Sequence, residues 1–85
     1  MSELKEQIRA FMAECAQSRG IAVDFTDEES LVDSEIMDSL TFFRVVAFLE
    51  DTFPLRVAPQ DIEFENFGTI NAIHEYVARK LGASP

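Results

Sequence analysis

The sequence predicts an all-α fold, a small bundle of three longer helices and one short helix with a long first loop. Apolar residues recur at helical spacing in three separate stretches, while no alternating run is long enough to make a strand. Each stretch also ends on a stop signal: Gly20, Phe53-Pro54 or Gly82. The expected helices cover about 2–19, 39–52, 59–63 and 69–81, within one domain over 1–85.

In the first helix Leu4, Ile8, Phe11 and Cys15 form one stripe, with Ser2 as cap and Gly20 as terminator. Cys15 lies on that inward stripe, so it reads as a small buried hydrophobe; nothing near it in sequence would lower its pKa to make a reactive thiol. From Ile21 to Asp38 no period persists, and the alternation of Ile21, Val23 and Phe25 is short. Unstructured segments of this length are uncommon in a small domain unless they are functional or packed by their own side chains. Phe25, Leu31, Val32 and Ile36 are spaced to staple this loop onto the helices.

Asp38 caps the second helix, because its carboxylate can accept from the free N–H groups of the first turn. Phe53-Pro54 stops that helix, since the residue before a proline is pushed out of the helical region. Phe42, Val45, Val46, Leu49 and Phe53 make its core stripe. Leu40, Phe43, Ala47 and Phe48 are apolar but lie off that stripe, and only Thr41 and Arg44 interrupt the run from Leu40 to Leu49. A helix this apolar is buried on several sides or offers part of its surface to a partner. Pro59 suits the first turn of the short helix. Phe64 and Phe67 then flank Glu65-Asn66 in a docking segment. Thr69 caps the last helix, whose stripe is Ile70, Ile73, Val77 and Leu81, with Arg79 and Lys80 complementing its dipole.

A chain of 85 residues supports one small core, burying about 60–65% of its unfolded surface. Sixteen acids against seven bases give a net charge of −9, and no Lys/Arg cluster exists to bind a nucleic-acid backbone. No apolar run approaches the roughly 18 residues of a spanning helix, and the N-terminal stretch has no signal-peptide pattern. The single cysteine cannot form an internal disulfide, and no Cys/His cluster could hold zinc. Asp24, Asp27, Glu28 and Glu29 lack the alternate spacing and central glycine of a calcium loop. The default expectation is a soluble, acidic, cytoplasmic domain without a metal site; the sequence does not set the oligomeric state, for which a monomer is the default.

The acidity is concentrated. Between Gly20 and Phe43 stand seven acids (Asp24, Asp27, Glu28, Glu29, Asp33, Glu35, Asp38) and no base. Glu50, Asp51, Asp61, Glu63 and Glu65 add five more, with Arg56 the only base among them. Such a field either keeps a small protein soluble or steers it toward basic partners.

Ser39 follows the capping Asp38 at the start of a helix, so its hydroxyl is expected to be exposed beside free N–H groups and the positive end of the dipole, a favourable place for a phosphate ester. It is a poor place for a hydrolase nucleophile. The only histidine, His74, lies in the last helix as a surface or boundary residue, and Ser39 has no strand-to-helix elbow around it. The chain reads as a substrate of enzymes, not an enzyme.

Ile36-Met37-Asp38-Ser39-Leu40 resembles the attachment motif of acyl and peptidyl carrier proteins. The resemblance extends through the acidic loop before it, the apolar helix ending Phe48-Leu49-Glu50-Asp51-Thr52-Phe53, Leu55-Arg56-Val57, Asp61-Ile62, and Glu65-Asn66-Phe67-Gly68-Thr69-Ile70. It implies a four-helix carrier fold in which Ser39 bears phosphopantetheine, installed from coenzyme A by a phosphopantetheinyl transferase and ending in a thiol that holds cargo as a thioester. It also implies that partners read Asp38, Leu40, Phe43, Ala47, Glu50, Asp51 and, on the short helix, Ile62. For Leu40, Phe43 and Ala47 the alternative is tighter packing under the long loop.

Two residues depart from the family pattern. Glu35 stands where many relatives have glycine, which predicts altered backbone geometry in the turn before the motif. Arg44 stands where fatty-acid carriers usually have an acid, breaking the negative face and disfavouring a basic partner patch built for them. The Glu-Asn-Phe junction is more similar to D-alanyl, aminoacyl and extender-unit carriers. The expectation is a stand-alone carrier of a small acyl or aminoacyl group for a specialised pathway, loaded by an adenylating ligase or acyltransferase and emptied by a downstream acyl-accepting enzyme. The alternatives are a general or secondary acyl carrier for fatty-acid or polyketide synthesis, and an unmodified acidic helical adaptor.

Overall fold

The computed structural model describes residues 3–82. Helix α1, Glu3–Ser18, buries Ile8, Met12, Cys15 and Ala16 along one side, while Leu4 and Phe11 pack half-buried at its margins. The cap expected from Ser2 lies outside the described residues. At the other end Gly20 takes φ +74°, its N–H donates to the Gln17 carbonyl at 3.1 Å, and the Ile21 N–H donates to the Ala16 carbonyl at 2.8 Å. This crossed pair satisfies carbonyls that the helix would otherwise leave open. Burial pushes the Cys15 thiol above its ordinary pKa, which agrees with a packing role.

The long loop contains no strand, and four of its side chains, Phe25, Leu31, Ile36 and Met37, are buried. Its ordering includes a turn with the same crossed hydrogen-bond pattern. The Ile36 N–H donates to the Leu31 carbonyl and the Glu35 N–H to the Val32 carbonyl, each at 3.0 Å, with Glu35 itself at φ +65°. That geometry brings Leu31 and Ile36, both fully buried, to the two sides of the turn. The turn thus holds Glu35 in a left-handed backbone that glycine would adopt without strain. Val32, expected to staple the loop, is instead 40% exposed, because the turn that directs Leu31 inward swings its neighbour outward. Asp27 does that stapling. Its carboxylate takes the Arg9 guanidinium and lies 3.7 Å from Lys5, while its carbonyl accepts from the Asn71 N–H at 3.0 Å. The Arg9 contact holds its carboxyl below the usual carboxylate range.

Helix α2, Ser39–Thr52, buries Thr41, Val45 and Leu49; Phe42, Val46 and Phe53 lie half-buried against the core. Phe53 is extended (φ −125°, ψ 152°) ahead of Pro54, and its N–H closes the helix on the Leu49 carbonyl at 2.9 Å. The expected short helix over 59–63 is a 3₁₀ turn, Pro59–Asp61, and a separate helical turn, α3, covers Phe64–Phe67. Ile62 and Glu63 leave helical geometry, so the expected helix shortens to a single turn, and α3 is a further turn in the segment expected only to dock. Phe64 and Phe67 part company: Phe67 is fully buried and Phe64 is 54% exposed.

Helix α4, Ile70–Gly82, begins at Thr69, whose Oγ1 accepts from the Ala72 N–H at 3.0 Å. It buries Ile70, Ile73, Tyr76 and Val77. Leu81, expected on the same stripe, is 39% exposed, since it falls one turn past the last core residue of the helix. Helix α4 packs against α1 and α3, and α1 against α2. Stacked Phe11 and Phe48, with ring centres 4.3 Å apart, join α1 to α2, while Phe67 links Phe42 to Tyr76. No helix among the described residues is long and apolar enough to cross a membrane.

Candidate functional site

Ser39 is the first residue of α2 and is exposed. Asp38, extended at φ −128°, precedes it as N-cap; its Oδ1 accepts from the Thr41 N–H at 2.8 Å and its carbonyl from the Phe42 N–H at 2.8 Å. The N–H groups of Ser39 and Leu40, in the first turn, have no acceptor within the helix. The Ser39 hydroxyl therefore stands at the positive end of a helix of 14 residues, open to solvent.

On one flank of Ser39 an open hollow of about 410 Å³ is lined by Ser39, Phe42, Phe43, Pro59 and Ile62. This brings Ser39, Phe43 and Ile62 together across the α2–3₁₀ junction, although Ile62 is over twenty positions away in sequence. Leu40 and Phe43 are 66% and 68% exposed, and Ala47 is exposed with them, so these three form an outward stripe and do not pack under the loop. Arg44 lies on the opposite flank, its guanidinium carbon 6.0 Å from the centre of the Phe11 ring on α1. Asp51 is exposed. Glu50 is half-buried, and its Oε2 accepts from the Val57 N–H at 2.9 Å, so this carboxylate ties α2 to the chain that follows it.

Sequence reasoning missed Arg19, Thr41, Phe42 and Pro59 as parts of this site. Phe42 and Pro59 wall the hollow, and the Thr41 N–H receives the cap. The Arg19 guanidinium donates to Asp38 Oδ2. The Thr41 N–H first, and Arg19 with it, hold the Asp38 carboxyl at a pKa of about 2. Position alone offered a hint: Arg19 and Asp38 bracket the long loop, one after α1 and one before α2.

A phosphoester on Ser39 Oγ fits this arrangement. The hydroxyl is exposed, so no packed side chain must move, and the unpaired N–H groups of the first turn suit an anion. The carboxylate next to it in sequence, Asp38, is already engaged on both oxygens. Comparison with known proteins agrees with this chemistry. Residues 9–77 match the phosphopantetheine attachment site family. The D-alanyl carrier protein of Abiotrophia defectiva is 24% identical over 80 residues, covering 94% of this chain and 99% of that protein. No solved structure matches the chain. The chain belongs to the phosphopantetheine attachment site family of carrier proteins, with covalently attached phosphopantetheine as its cofactor.

Proposed function

We propose that the chain is a stand-alone carrier that holds a small acyl or aminoacyl group as a thioester, on a phosphopantetheine arm esterified to Ser39 Oγ. The observation that carries this reading is the exposed Ser39 hydroxyl at the head of α2, next to the capping Asp38 carboxylate that is ion-paired with Arg19. When bound, the arm supplies the thiol. The chain's own residues do the rest: Asp38 fixes the first turn, and Leu40, Phe43 and Ala47 offer an apolar stripe to partners. Asp51 adds charge at the rim of that stripe. The similarity to a D-alanyl carrier protein favours a small aminoacyl cargo loaded by an adenylating ligase. Arg44, exposed beside the stripe, disfavours partners with the uniformly basic patch that suits fatty-acid carriers. The reading implies a cytoplasmic protein that meets a phosphopantetheinyl transferase first, then a loading enzyme, then an acyl acceptor.

The test is intact mass after incubation with coenzyme A, magnesium and a broad-specificity phosphopantetheinyl transferase. The parent is expected to gain one arm. Ser39→Ala is expected to gain none while keeping its Tm within about 2 °C, because an exposed hydroxyl contributes little to stability. A parent that stays unmodified while folded sinks the reading in favour of an unmodified adaptor.

A further inference from the structure

The two ends of the long loop are tied to each other beside Ser39. Arg19 lies between the end of α1 and the left-handed Gly20, so the terminating hydrogen bonds of α1 fix its backbone; its own N–H donates to the Ala16 carbonyl at 3.1 Å. Its guanidinium reaches Asp38 Oδ2 across nineteen positions of sequence. Oδ1 of the same carboxylate accepts from the Thr41 N–H. A cation at the C-terminal end of α1 thus meets an anion at the N-terminal end of α2, and each helix dipole favours its own member of the pair.

We infer that Arg19 is a charge-compensating clamp that lets Ser39 carry a phosphodiester next to Asp38 without loosening the start of α2. The inference rests on Ser39 being the attachment residue. A phosphodiester on Ser39 Oγ puts a full negative charge on the residue adjacent to the Asp38 carboxylate. The two repel, and both compete for the positive end of the same helix. The phosphate is covalently fixed, so an unheld Asp38 would swing away, drop the Thr41 N–H and fray the first turn. Arg19 offsets the carboxylate charge and keeps it on its cap. An exposed ion pair of this kind adds little to stability by itself. Its contribution grows when the second negative charge arrives, so Arg19 serves the loaded chain more than the bare fold. The groups facing the Asp38 carboxylate are the Arg19 guanidinium and the Thr41 N–H.

The test compares the parent, Arg19→Gln and Arg19→Lys at low salt, each with and without the arm installed from coenzyme A by a broad-specificity transferase. Without the arm, Arg19→Gln is expected to melt within about 2 °C of the parent. With it, Arg19→Gln is expected to lose about 3–6 °C more than the parent does, and Arg19→Lys to recover most of that loss. The second readout is the Asp38 carboxyl titration followed by NMR. It stays low in both forms of the parent, rises in Arg19→Gln, and rises further once that variant is loaded. A folded Arg19→Gln that takes no arm under conditions that fully load the parent also supports the clamp. Equal melting offsets in all three proteins, or an Asp38 titration unmoved by Arg19→Gln, overturns it. A parent that gains no arm overturns the reading of Ser39, and the clamp with it, so the two failures are told apart.

Discussion

Glu35 is the residue where backbone and side chain disagree. At φ +65° its Cβ crowds the neighbouring backbone, at a cost of roughly 1–2 kcal/mol that glycine would not incur. Glycine also has more freedom to lose on folding, which returns part of that gain. Glu35→Gly is therefore expected to stabilise the chain by about 0.5–1 kcal/mol in urea denaturation. A loss of stability would mean that the Glu35 side chain makes a compensating interaction. Gly68 presents the opposite case, with an ordinary φ of −83° but no room. A Cβ there would sit 2.5 Å from the Phe64 ring and 2.6 Å from the Phe64 carbonyl oxygen. Gly68→Ala is expected to destabilise by about 1–3 kcal/mol, and Phe64→Ala to relieve only part of that, because the carbonyl remains. Full relief would place the whole conflict in the ring. The sequence marked Glu35 as unusual, and the structure places it at a positive φ. A missing glycine either moves a turn or strains its replacement, and the outcome here follows from Leu31 and Ile36, whose burial on both sides holds the turn in place.

The elements differ in how far they could be read, and the reason is length. Helices α1, α2 and α4 span 16, 14 and 13 residues, enough turns for an apolar stripe to repeat. The 3₁₀ turn and α3 span three and four residues, about one turn each, so no period exists to detect. Within the site, Asp38-Ser39-Leu40 was legible from its capping chemistry and its resemblance to a carrier motif. Helical spacing set Leu40, Phe43 and Ala47 off the core stripe, together with Phe48, which instead packs half-buried on Phe11. The Glu50–Val57 and Arg19–Asp38 contacts were not legible, since each joins a helix to a segment whose path the periodicity leaves open. Glu50 therefore carries two possible roles, and paired substitutions separate them. Glu50→Gln keeps an acceptor for the Val57 N–H and is expected to change stability by less than about 0.5 kcal/mol; Glu50→Ala leaves that N–H unpaired and is expected to cost about 1–2 kcal/mol. Equal stabilities for the two variants would show that water replaces the carboxylate at no cost. The cap of α2 has a pH signature as well. The Asp38 pKa of about 2 lies below its ordinary value of 3.8, so its contribution is complete above that ordinary value. It fades as pH falls from 3.8 through about 2. Asp38→Asn retains a capping oxygen but does not titrate, so its acid unfolding limb is expected to be shallower than the parent's across that window. Superimposable limbs would remove Asp38 from the acid transition.

At the scale of the molecule, the internal use of cations decides what a partner meets. Four of the seven basic residues, Lys5, Arg9, Arg19 and Lys80, are paired with Asp27, Asp38 or Asp61. Arg79 lies over the Tyr76 ring beside Asn66, and Tyr76 donates to Asp61 Oδ2 at 2.8 Å. Burial and that acceptor push the Tyr76 hydroxyl well above its ordinary pKa. Most positive charge is thereby spent on holding the loop, the 3₁₀ turn and α4 together, and the net charge of −9 is expressed outward. Asp51 lies where that field borders the apolar stripe of α2, and Arg44 is the cation that interrupts it. If this field steers encounters, association with a basic partner slows as salt shortens the Debye length below about 10 Å. Stopped-flow association with a broad-specificity phosphopantetheinyl transferase is expected to show that decline. Asp51→Asn is expected to flatten it, and Arg44→Glu to steepen it, with changes in on-rate exceeding those in off-rate. These substitutions touch exposed charges, so each variant should keep the parent's melting temperature and its response can be assigned to encounter, not folding. An on-rate indifferent to salt in the parent would leave the acidic surface a solubility device, and partner choice would then rest on the stripe of Leu40, Phe43 and Ala47 alone.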